Sequence, residues 1–269
     1  MNTRKILFEF EDLPWFPAML RESMTDYLRY ILTLTNFYEP VTALLTESLQ
    51  QTGSNTMVDL CSGGGGPINQ VKNNLEMAGT GGIKIILTDK FPNTTAFEFL
   101  AAKSTGTISY IQHPVDAMNV SPDIKGFRTM FSAFHHFSRE QATAILKNAT
   151  TANTGIAIFD GGSKNMFTVL LIIIVHPLAF FFLTPFFRPF KWSRIIFTYI
   201  IPLIPLFTIW DGIVSITRLY MPAKLMAMAM AVEPANYHWQ SGFRKNKWGL
   251  KIAFLIGIPK TGKTDVKGL

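Results

Sequence analysis

The sequence predicts an α/β fold built on a doubly wound parallel sheet. Between residues 56 and 160, short apolar runs alternate with segments of helical spacing, which is typical of βαβ units. One of these runs ends in an acid and leads into four consecutive glycines, a pattern typical of a ligand-binding turn in such a sheet. A run of 23 residues without charge, 165–187, and a second apolar segment, 195–219, broken only by Asp211 and Arg218, predict an inserted hydrophobic helical hairpin.

Charge is distributed unevenly along the 269 residues. Hydrophobic residues make up 48% of the chain and charged residues 16%, against a usual charged share of about 25%. Residues 1–160 carry a net charge of −3 and residues 161–269 a net charge of +10. The apolar runs in the basic half favour an anionic membrane surface as its partner. Its basic residues do not alternate with aromatic residues, so we expect no nucleic-acid partner.

The individual elements follow from periodicity. An amphipathic helix is predicted over 18–35, with Asp26 and Arg29 on its polar face. Strands are predicted at 56–61, 83–88, 107–111, 128–133 and 155–160, and helices at 67–79, 93–103 and 139–149. Ser138 and Gln141 predict a capping box at the start of the last helix. Two antiparallel strands, within 237–244 and 250–259, are expected to complete the sheet.

These elements divide the chain into three units. Residues 1–50 form an N-terminal helical cap, residues 51–163 and 236–269 form the α/β domain, and residues 164–235 form the hydrophobic insertion. The single cysteine excludes an internal disulfide and indicates a reducing compartment.

The stretch "TMVDLCSGGGGP" at 56–67 carries the strongest functional signal. Glycine lets the backbone approach a ligand closely, and the following helix N-terminus offers free N–H groups. The third glycine of a dinucleotide-binding turn is missing, because Ile68 occupies its position. No Gly-Lys-Ser/Thr sequence follows, which argues against a phosphate-binding P-loop.

The order of these motifs resembles that of the class I S-adenosylmethionine-dependent methyltransferases, which have a Rossmann-like sheet. The resemblance covers roughly residues 50–163 and 236–260 and implies S-adenosylmethionine as the cofactor. No Cys/His spacing in the sequence suggests a metal site. It implies that Asp89 in "ILTDKFPN" binds the ribose hydroxyls and that the turn after Asp116 contacts the adenine. The expected cofactor-binding residues are Asp59, Cys61, Ser62, Gly63, Gly64, Gly65, Asp89, Lys90, Asp116, Ala117, Met118 and Ser132.

Two histidines follow the fourth strand, at the edge of the sheet where ligands bind. The imidazole of His135 or His136 could serve as the general base, with an expected pKa near 6.5. The alternative is a structural pair in the loop. Tyr237 and Trp239 are candidates for the opposite wall of the substrate site, and Asp211 in the second apolar segment is a candidate substrate residue.

The insertion predicts association with a membrane. A helix of about 21 residues rises ~31 Å, enough to cross the hydrocarbon core. The link between its two apolar segments, 188–194, contains Arg188, Lys191 and Arg194 together with Trp192, and we expect these residues near lipid head groups. We favour a hairpin that dips into one leaflet, with the catalytic domain on the cytoplasmic side. Two true spans and a soluble hydrophobic lid or dimer interface are the alternatives.

Together these features predict an S-adenosylmethionine-dependent methyltransferase that acts on a hydrophobic or lipid-like small molecule at the membrane. One alternative is a nicotinamide-dependent oxidoreductase. Another is a non-catalytic, membrane-bound nucleotide-binding protein. The methyl acceptor and the oligomeric state do not follow from the sequence.

Overall fold

The protein is described by a computed structural model over residues 7–260. Residues 1–6 and 261–269, assigned above to the ends of the cap and of the α/β domain, lie outside the described residues. The strands are β1 Thr56–Asp59, β2 Lys84–Leu87, β3 Ile108–Tyr110, β4 Phe127–Phe131, β5 Ile156–Gly161, β6 Tyr237–Lys245 and β7 Lys251–Pro259. They form one sheet in the order β3-β2-β1-β4-β5-β7-β6. β1 to β5 are parallel and β7 is antiparallel to both of its neighbours, which confirms the predicted α/β fold.

Helices cover both faces of the sheet. They are α1 Ala18–Leu34, α2 Thr42–Thr52, α3 Ile68–Met77, α4 Thr94–Lys103, α5 Arg139–Thr151, α6 Met166–Leu183, α7 Trp192–Ile195, α8 Leu203–Arg218 and α9 Pro222–Val232. Leucine, isoleucine and phenylalanine side chains of α2, α3 and α4 pack on one face of the sheet. Side chains of α5 and α9 pack on the other face, so the sheet is buried on both sides, as parallel strands require.

Local signals explain where several helices begin. The predicted capping box is present at α5, where the Ser138 hydroxyl accepts from the N–H of Gln141 and the Gln141 side chain accepts from the N–H of Ser138. Asn93 caps α4 in the same way, by accepting from the N–H of Ala96. Pro67 stands immediately before α3, where its missing N–H costs no hydrogen bond.

The predicted N-terminal helix is confirmed as α1, but part of its polar face is buried. Asp26 and Arg29 are both buried and form an ion pair of 3.0 Å. Arg194 of α7, itself buried, also binds the Asp26 carboxylate. The sequence pattern suggested a solvent-facing stripe because it does not show that the insertion folds back over this helix.

The insertion forms an antiparallel hairpin of α6 and α8. Gly212 of α8 lies beside Ile172, and Ile204 near the start of α8 packs in the same cluster as Phe180. The short helix α7 continues as a π-helix, Ile196–Ile200, and the chain bends by 79° before α8. Within residues 7–260, one helical stretch, Met166–Phe186, is long and apolar enough to cross a membrane.

Candidate functional site

A cavity of about 300 Å³ opens at the carboxyl ends of β1, β2 and β4. The strand order reverses between β1 and β4, and this switch point is where doubly wound sheets bind their ligands. The glycine-rich turn after β1 and the loop after β2 line one side of the cavity. One face of α1, from Arg21 to Leu32, and the segment before α1 also line the cavity.

Asp59 organises the glycine-rich turn from inside the protein rather than lining the cavity. Its carboxylate accepts hydrogen bonds from the hydroxyls of Ser62 (2.7 Å) and Thr129 (2.9 Å). Burial raises the pKa of Asp59 to about 7, and the two hydroxyls partly oppose that shift. Ser62 lines the cavity and Asp59 does not, so Asp59 affects the candidate ligand site by holding the Ser62 side chain in place.

Helix α1 lies directly on the glycine-rich turn. A Cβ atom at Gly64 would lie 2.8 Å from the carbonyl oxygen of Thr25, and one at Gly65 would lie 2.1 Å from a methyl of Leu100. Gly63 has a φ of +55° and would contact the Thr25 side chain. A Cβ at Gly66 would meet nothing within 4 Å. The first three glycines therefore admit neighbouring helices; Gly63 and Gly64 also line the cavity, whereas Gly65, a predicted cofactor-binding residue, does not. A bulky substitution at Gly63 or Gly65 would disturb the helix packing.

Asp89 lies in the cavity wall after β2, where the sequence analysis expects a ribose-binding acid. One of its carboxylate oxygens accepts from the N–H of Gly63 at 2.7 Å and the other from the N–H of Phe91 at 2.8 Å. Burial raises the pKa of Asp89. Each oxygen keeps a further lone pair, which can accept from a ligand hydroxyl.

Three further predicted residues, Lys90, Cys61 and Ser132, line the same cavity. Cys61 and Ser132 both have left-handed backbone conformations, with φ of +57° and +51°. Burial raises the pKa of the Cys61 thiol, so the thiol stays protonated and does not fit a nucleophile. The Ser132 hydroxyl lies 2.6 Å from that of Tyr38.

The predicted adenine-contacting turn, Asp116 to Met118, lies next to the cavity but does not line it. The Asp116 carboxylate accepts from the N–H of Met118 and caps the short helical turn that includes the buried Ala117. The neighbouring N–H of Val115 donates to the carbonyl oxygen of Asp89, so this turn is attached to the loop after β2.

The two histidines occupy different environments. His135 is buried, and its Nδ1 lies 3.2 Å from a carboxylate oxygen of Asp160. His136 lines the cavity, and its Nδ1 lies 2.9 Å from Asp12 and 3.3 Å from Glu9. Of the two candidate bases, only His136 is therefore placed at the cavity.

The charge state of His136 does not fit the predicted general base. Burial alone would lower its pKa, but Glu9, Asp12 and Glu11 outweigh burial and raise the pKa to about 10. The imidazole is thus protonated at neutral pH and has no free lone pair to accept a proton.

Glu9 and the two histidines are close enough together to hold a metal ion. Arg218 already binds Glu9 at 2.9 Å, and we assign no metal there.

The sequence analysis missed the acidic segment before α1, which lines the cavity through Glu11 and Asp12. Arg21 fastens this segment to α1 by donating to the carbonyl oxygens of Glu11 (2.9 Å) and Leu13 (2.7 Å). Its guanidinium also lies over the ring of Phe91, 4.3 Å from the centroid. The feature of the sequence that could have revealed this segment is the run of three acids in "FEFEDL", shortly before a helix with charged residues of its own.

Tyr237 and Trp239 do not form a wall of the cavity, and this prediction is corrected. Both side chains are buried, and their rings stack with centroids 5.4 Å apart. The Tyr237 hydroxyl donates to the carbonyl oxygen of Thr154, which precedes β5. β6 starts at the amino edge of the sheet because Tyr237 pairs with Pro259 at the end of the reversed strand β7. The two residues therefore lie at the edge opposite the cavity.

The prediction that Asp211 is a substrate residue is also corrected, because Asp211 has a structural role. It is buried in α8 and does not itself line the cavity. Its two carboxylate oxygens accept from the backbone N–H groups of Phe10 (2.7 Å) and Glu11 (3.1 Å). These bonds attach the acidic segment to the insertion and offset the cost of burying the acid.

Comparisons with known proteins agree with this architecture at the level of fold. Neither a protein-family model nor a curated protein matches the sequence. Human N-acetylserotonin methyltransferase in complex with S-adenosylmethionine has a TM-score of 0.51 at 10% identity, covering 96% of this chain and 64% of that enzyme. The plantazolicin methyltransferase BpumL in complex with S-adenosylhomocysteine has a TM-score of 0.52 at 11% identity, covering 90% of this chain and 96% of that one. The fold is that of the class I methyltransferases.

At these identities the likeness establishes the fold alone, because one fold can host several activities. The chain also spans less than two thirds of the human enzyme, 64% of its length. The activity therefore has to be argued from the residues of the cavity.

Proposed function

We propose that this protein is an S-adenosylmethionine-dependent methyltransferase that acts on a hydrophobic or lipid-like small molecule at a membrane surface. The observation that carries the cofactor assignment is the cavity at the switch point, where Asp89 and the backbone of the glycine-rich turn face the same space. Residues of this kind fit an adenosine with a charged tail, because carboxylates accept from ribose hydroxyls and glycine turns admit close approach.

S-adenosylmethionine supplies an already activated methyl group when bound. The protein then has to align the acceptor and remove its proton. The residues of this chain that would hold the cofactor are Ser62, Gly63, Gly64, Asp89 and Lys90, all of which line the cavity. Asp59 and Asp116 would act by shaping the adjoining turns.

Calorimetry tests the cofactor assignment. We expect the detergent-purified protein to bind S-adenosylmethionine and S-adenosylhomocysteine, and Asp89→Ala to weaken both by about tenfold to a hundredfold, because two charge-assisted hydrogen bonds are lost. Asp123→Ala, which removes an exposed loop carboxylate, is the matched control and should bind like the wild type. Binding of NADH without binding of S-adenosylmethionine would replace the proposal by the nicotinamide-dependent alternative.

The acceptor class rests on the exposed side of the insertion. We define the apolar face as the exposed large side chains of α6 and of the segment after it. They are Met166, Phe167, Leu170, Ile173, Ile174, Val175, Leu178, Phe181, Phe182, Phe186, Phe190, Trp192, Ile196, Tyr199, Ile200 and Ile201. The Tyr199 hydroxyl donates to the carbonyl oxygen of Phe181, which holds the π-helix beside α6. Monomeric soluble proteins rarely expose so many large apolar side chains together, and a lipid bilayer would bury them.

The packing of both ends of α6 favours a helix that lies in the plane of the membrane. In the first half of α6, Ile172 belongs to the same cluster as Ile216 of α8, and Ile216 lies beside Gly162, just after β5. At its other end, Phe180 stacks on Tyr27 of α1 with centroids 3.9 Å apart, and Phe187 packs on the same ring. A helix that crossed the bilayer would place one end far from the α/β domain, so this packing supports the one-leaflet hairpin.

The basic link contributes less to membrane binding than the sequence analysis expected. Lys191 binds Glu22 at 2.7 Å, and Arg194 is buried against Asp26. Both cations are therefore neutralised by acids of α1 rather than exposed toward head groups. Trp192 is 74% exposed and remains suited to a membrane interface, and Arg188 is also exposed.

Flotation with phospholipid vesicles tests membrane association. The wild type should float with vesicles and resist washing in high salt. The double variant Leu178→Glu/Phe182→Glu should lose at least about tenfold in vesicle binding, because each large apolar side chain contributes roughly 1.5–3 kcal/mol when buried. Met77→Glu, at a side chain 77% exposed on α3, is the matched control and should float normally. A wild type that stays in solution as a dimer would instead identify the apolar face as a self-association interface.

Radioactive methyl transfer separates an enzyme from a non-catalytic nucleotide-binding protein. Protein supplied with labelled S-adenosylmethionine and a total membrane lipid extract should place label in the chloroform-soluble fraction. Binding of the cofactor without any labelled lipid would favour the non-catalytic alternative.

A further inference from the structure

The acidic segment before α1 builds a charged cluster at the cavity. Glu9, Glu11 and Asp12 surround the His136 imidazole, and Arg218 binds Glu9 and Asp12 at 2.9 and 3.0 Å. Glu9 is fully buried and its carboxylate is bonded to Arg218 and to the hydroxyl of Ser215. With Asp211 and Arg21, which also face the cluster, four acids meet three cations, so the cluster is one positive charge short if every acid is ionised.

Of the three acids around His136, Glu11 has the carboxylate with the fewest partners. Asp12 is held by His136 and Arg218, and Glu9 by Arg218 and Ser215. The Glu11 carboxylate has one close partner among the described residues, the Nε2 of His136 at 3.4 Å, and it lines the cavity. Its backbone is fixed from two sides, by Asp211 at its N–H and by Arg21 at its carbonyl.

We propose that Glu11 is the catalytic base, which takes the proton of the methyl acceptor, and that protonated His136 is a positioning residue that orients it. The inference rests on the proposed methyltransferase function. It moves the base from the loop after β4, where the sequence analysis expected it, to the segment before α1.

The proposed step balances in atoms and charge. A lone pair of the acceptor oxygen or nitrogen forms the new bond to the methyl carbon, and the bond from that carbon to sulfur breaks with its electrons on sulfur. The acceptor's O–H or N–H proton passes to the ionised Glu11 carboxylate. The proton uptake supplies the positive charge that the cluster lacks. Release of that proton to solvent then restores the base.

The surroundings of Glu11 give this base a distinctive titration. Burial raises the pKa of Glu11 to about 8; His136 opposes the shift, and Glu9, Asp211 and Asp12 add to it. Arg21 and Arg218 are the other charged groups that face this cluster. Activity should therefore rise with pH through about 8, rather than through the 6.5 of a free imidazole.

Two measurements on the full-length protein test the proposal. In lipid-extract methylation across about pH 6 to 10, Glu11→Gln should lower turnover by about a hundredfold and remove the rise near pH 8. Glu11→Asp, which keeps the carboxylate, should retain the rise with a smaller loss of turnover. Glu98→Gln, at an exposed position of α4, is the control for loss of a carboxylate and should behave like the wild type.

Infrared spectroscopy of the cofactor-free protein gives a readout that needs no activity. The wild type minus Glu11→Gln difference should contain a protonated-carboxyl band that disappears between about pH 7 and 9. The subtraction cancels Asp59, whose pKa is raised to about 7. An unchanged turnover and pH profile in Glu11→Gln overturns the proposal, as does a rise in activity that does not coincide with the ionisation of the Glu11 carboxyl seen in the infrared spectra. Failure of the methyltransferase proposal itself is distinct, because it appears as absence of S-adenosylmethionine binding in calorimetry.

Discussion

Asp26→Asn should lower the free energy of unfolding by about 3–5 kcal/mol, because it leaves buried cations without their counter-charge. Asp26 is fully buried between Arg29 at 3.0 Å and Arg194, and Lys191 lies 3.7 Å away. Burial raises the pKa of Asp26 and the three cations oppose that shift. Thermal unfolding in detergent should show a fall in Tm of roughly 10 °C.

Two variants separate the buried charge from its surroundings. Glu22→Gln breaks the partly exposed pair with Lys191 and should cost less than about 1 kcal/mol. The triple variant Asp26→Leu/Arg29→Leu/Arg194→Met replaces the buried acid and both buried arginines by apolar side chains and should recover much of the lost stability. If Glu22→Gln lost as much stability as Asp26→Asn, burial would not be what makes the ion pairs of Asp26 important for stability.

Asp26→Asn should also weaken cofactor binding, although Asp26 does not line the cavity. Asp26 follows Thr25, whose carbonyl oxygen packs on Gly64, and Arg194 connects this turn of α1 to the insertion. If α1 loosens from the glycine-rich turn, one wall of the cavity is lost. Calorimetry of Asp26→Asn with S-adenosylhomocysteine, at a temperature where the variant stays folded, measures that coupling.

The fold could be predicted because its signals are local. The alternation of apolar runs and helical spacing, the Ser138–Gln141 capping box and the turn before Pro67 each report on a few adjacent residues. Glycines after β1 and an acid after β2 meet at one edge because parallel strands end on the same side. That geometric rule is why Asp89 was placed correctly at the cavity.

The site was predicted less completely because half of it comes from outside the sheet. No rule of strand order brings Glu11 to His136, since the segment before α1 is held there by Asp211 of the insertion. The glycines at 63–65 were explained by a ligand alone, whereas Thr25 of α1 and Leu100 of α4 also require the missing side chains. Contacts between residues so distant in sequence leave no periodic signal.

The errors at Tyr237 and Trp239 have a topological origin. Aromatic residues near a terminal hairpin suggest a pocket wall only if the strand begins at the edge where the ligand binds. β6 begins at the opposite edge, because β7 runs antiparallel between β5 and β6. The direction of the terminal hairpin, rather than its composition, decides what these rings contact.

His136→Gln should destabilise the protein strongly at pH 6 and hardly at all at pH 10. Burial lowers the pKa of His136, but Glu9, Asp12 and Glu11 outweigh it and raise the pKa to about 10. A raised histidine pKa stabilises the fold fully below the unfolded value of about 6.5, and this contribution is lost as the pH rises through the folded value. The stabilisation at stake is on the order of 3–5 kcal/mol.

The test is the gap in Tm between the wild type and His136→Gln, measured from about pH 6 to 10. The gap should be widest at or below about pH 6.5 and close toward pH 10, because the wild-type imidazolium then loses its proton and its attraction to the neighbouring carboxylates, of which Glu11 is itself ionised only above about pH 8. His238→Gln, at an exposed position of β6, is the control and should show no gap that varies with pH. The rings of His135 and His136 lie 4.4 Å apart, so a constant gap across the whole range would mean that His136 contributes by packing rather than by charge. In that case Glu11 would lack the imidazolium that orients it.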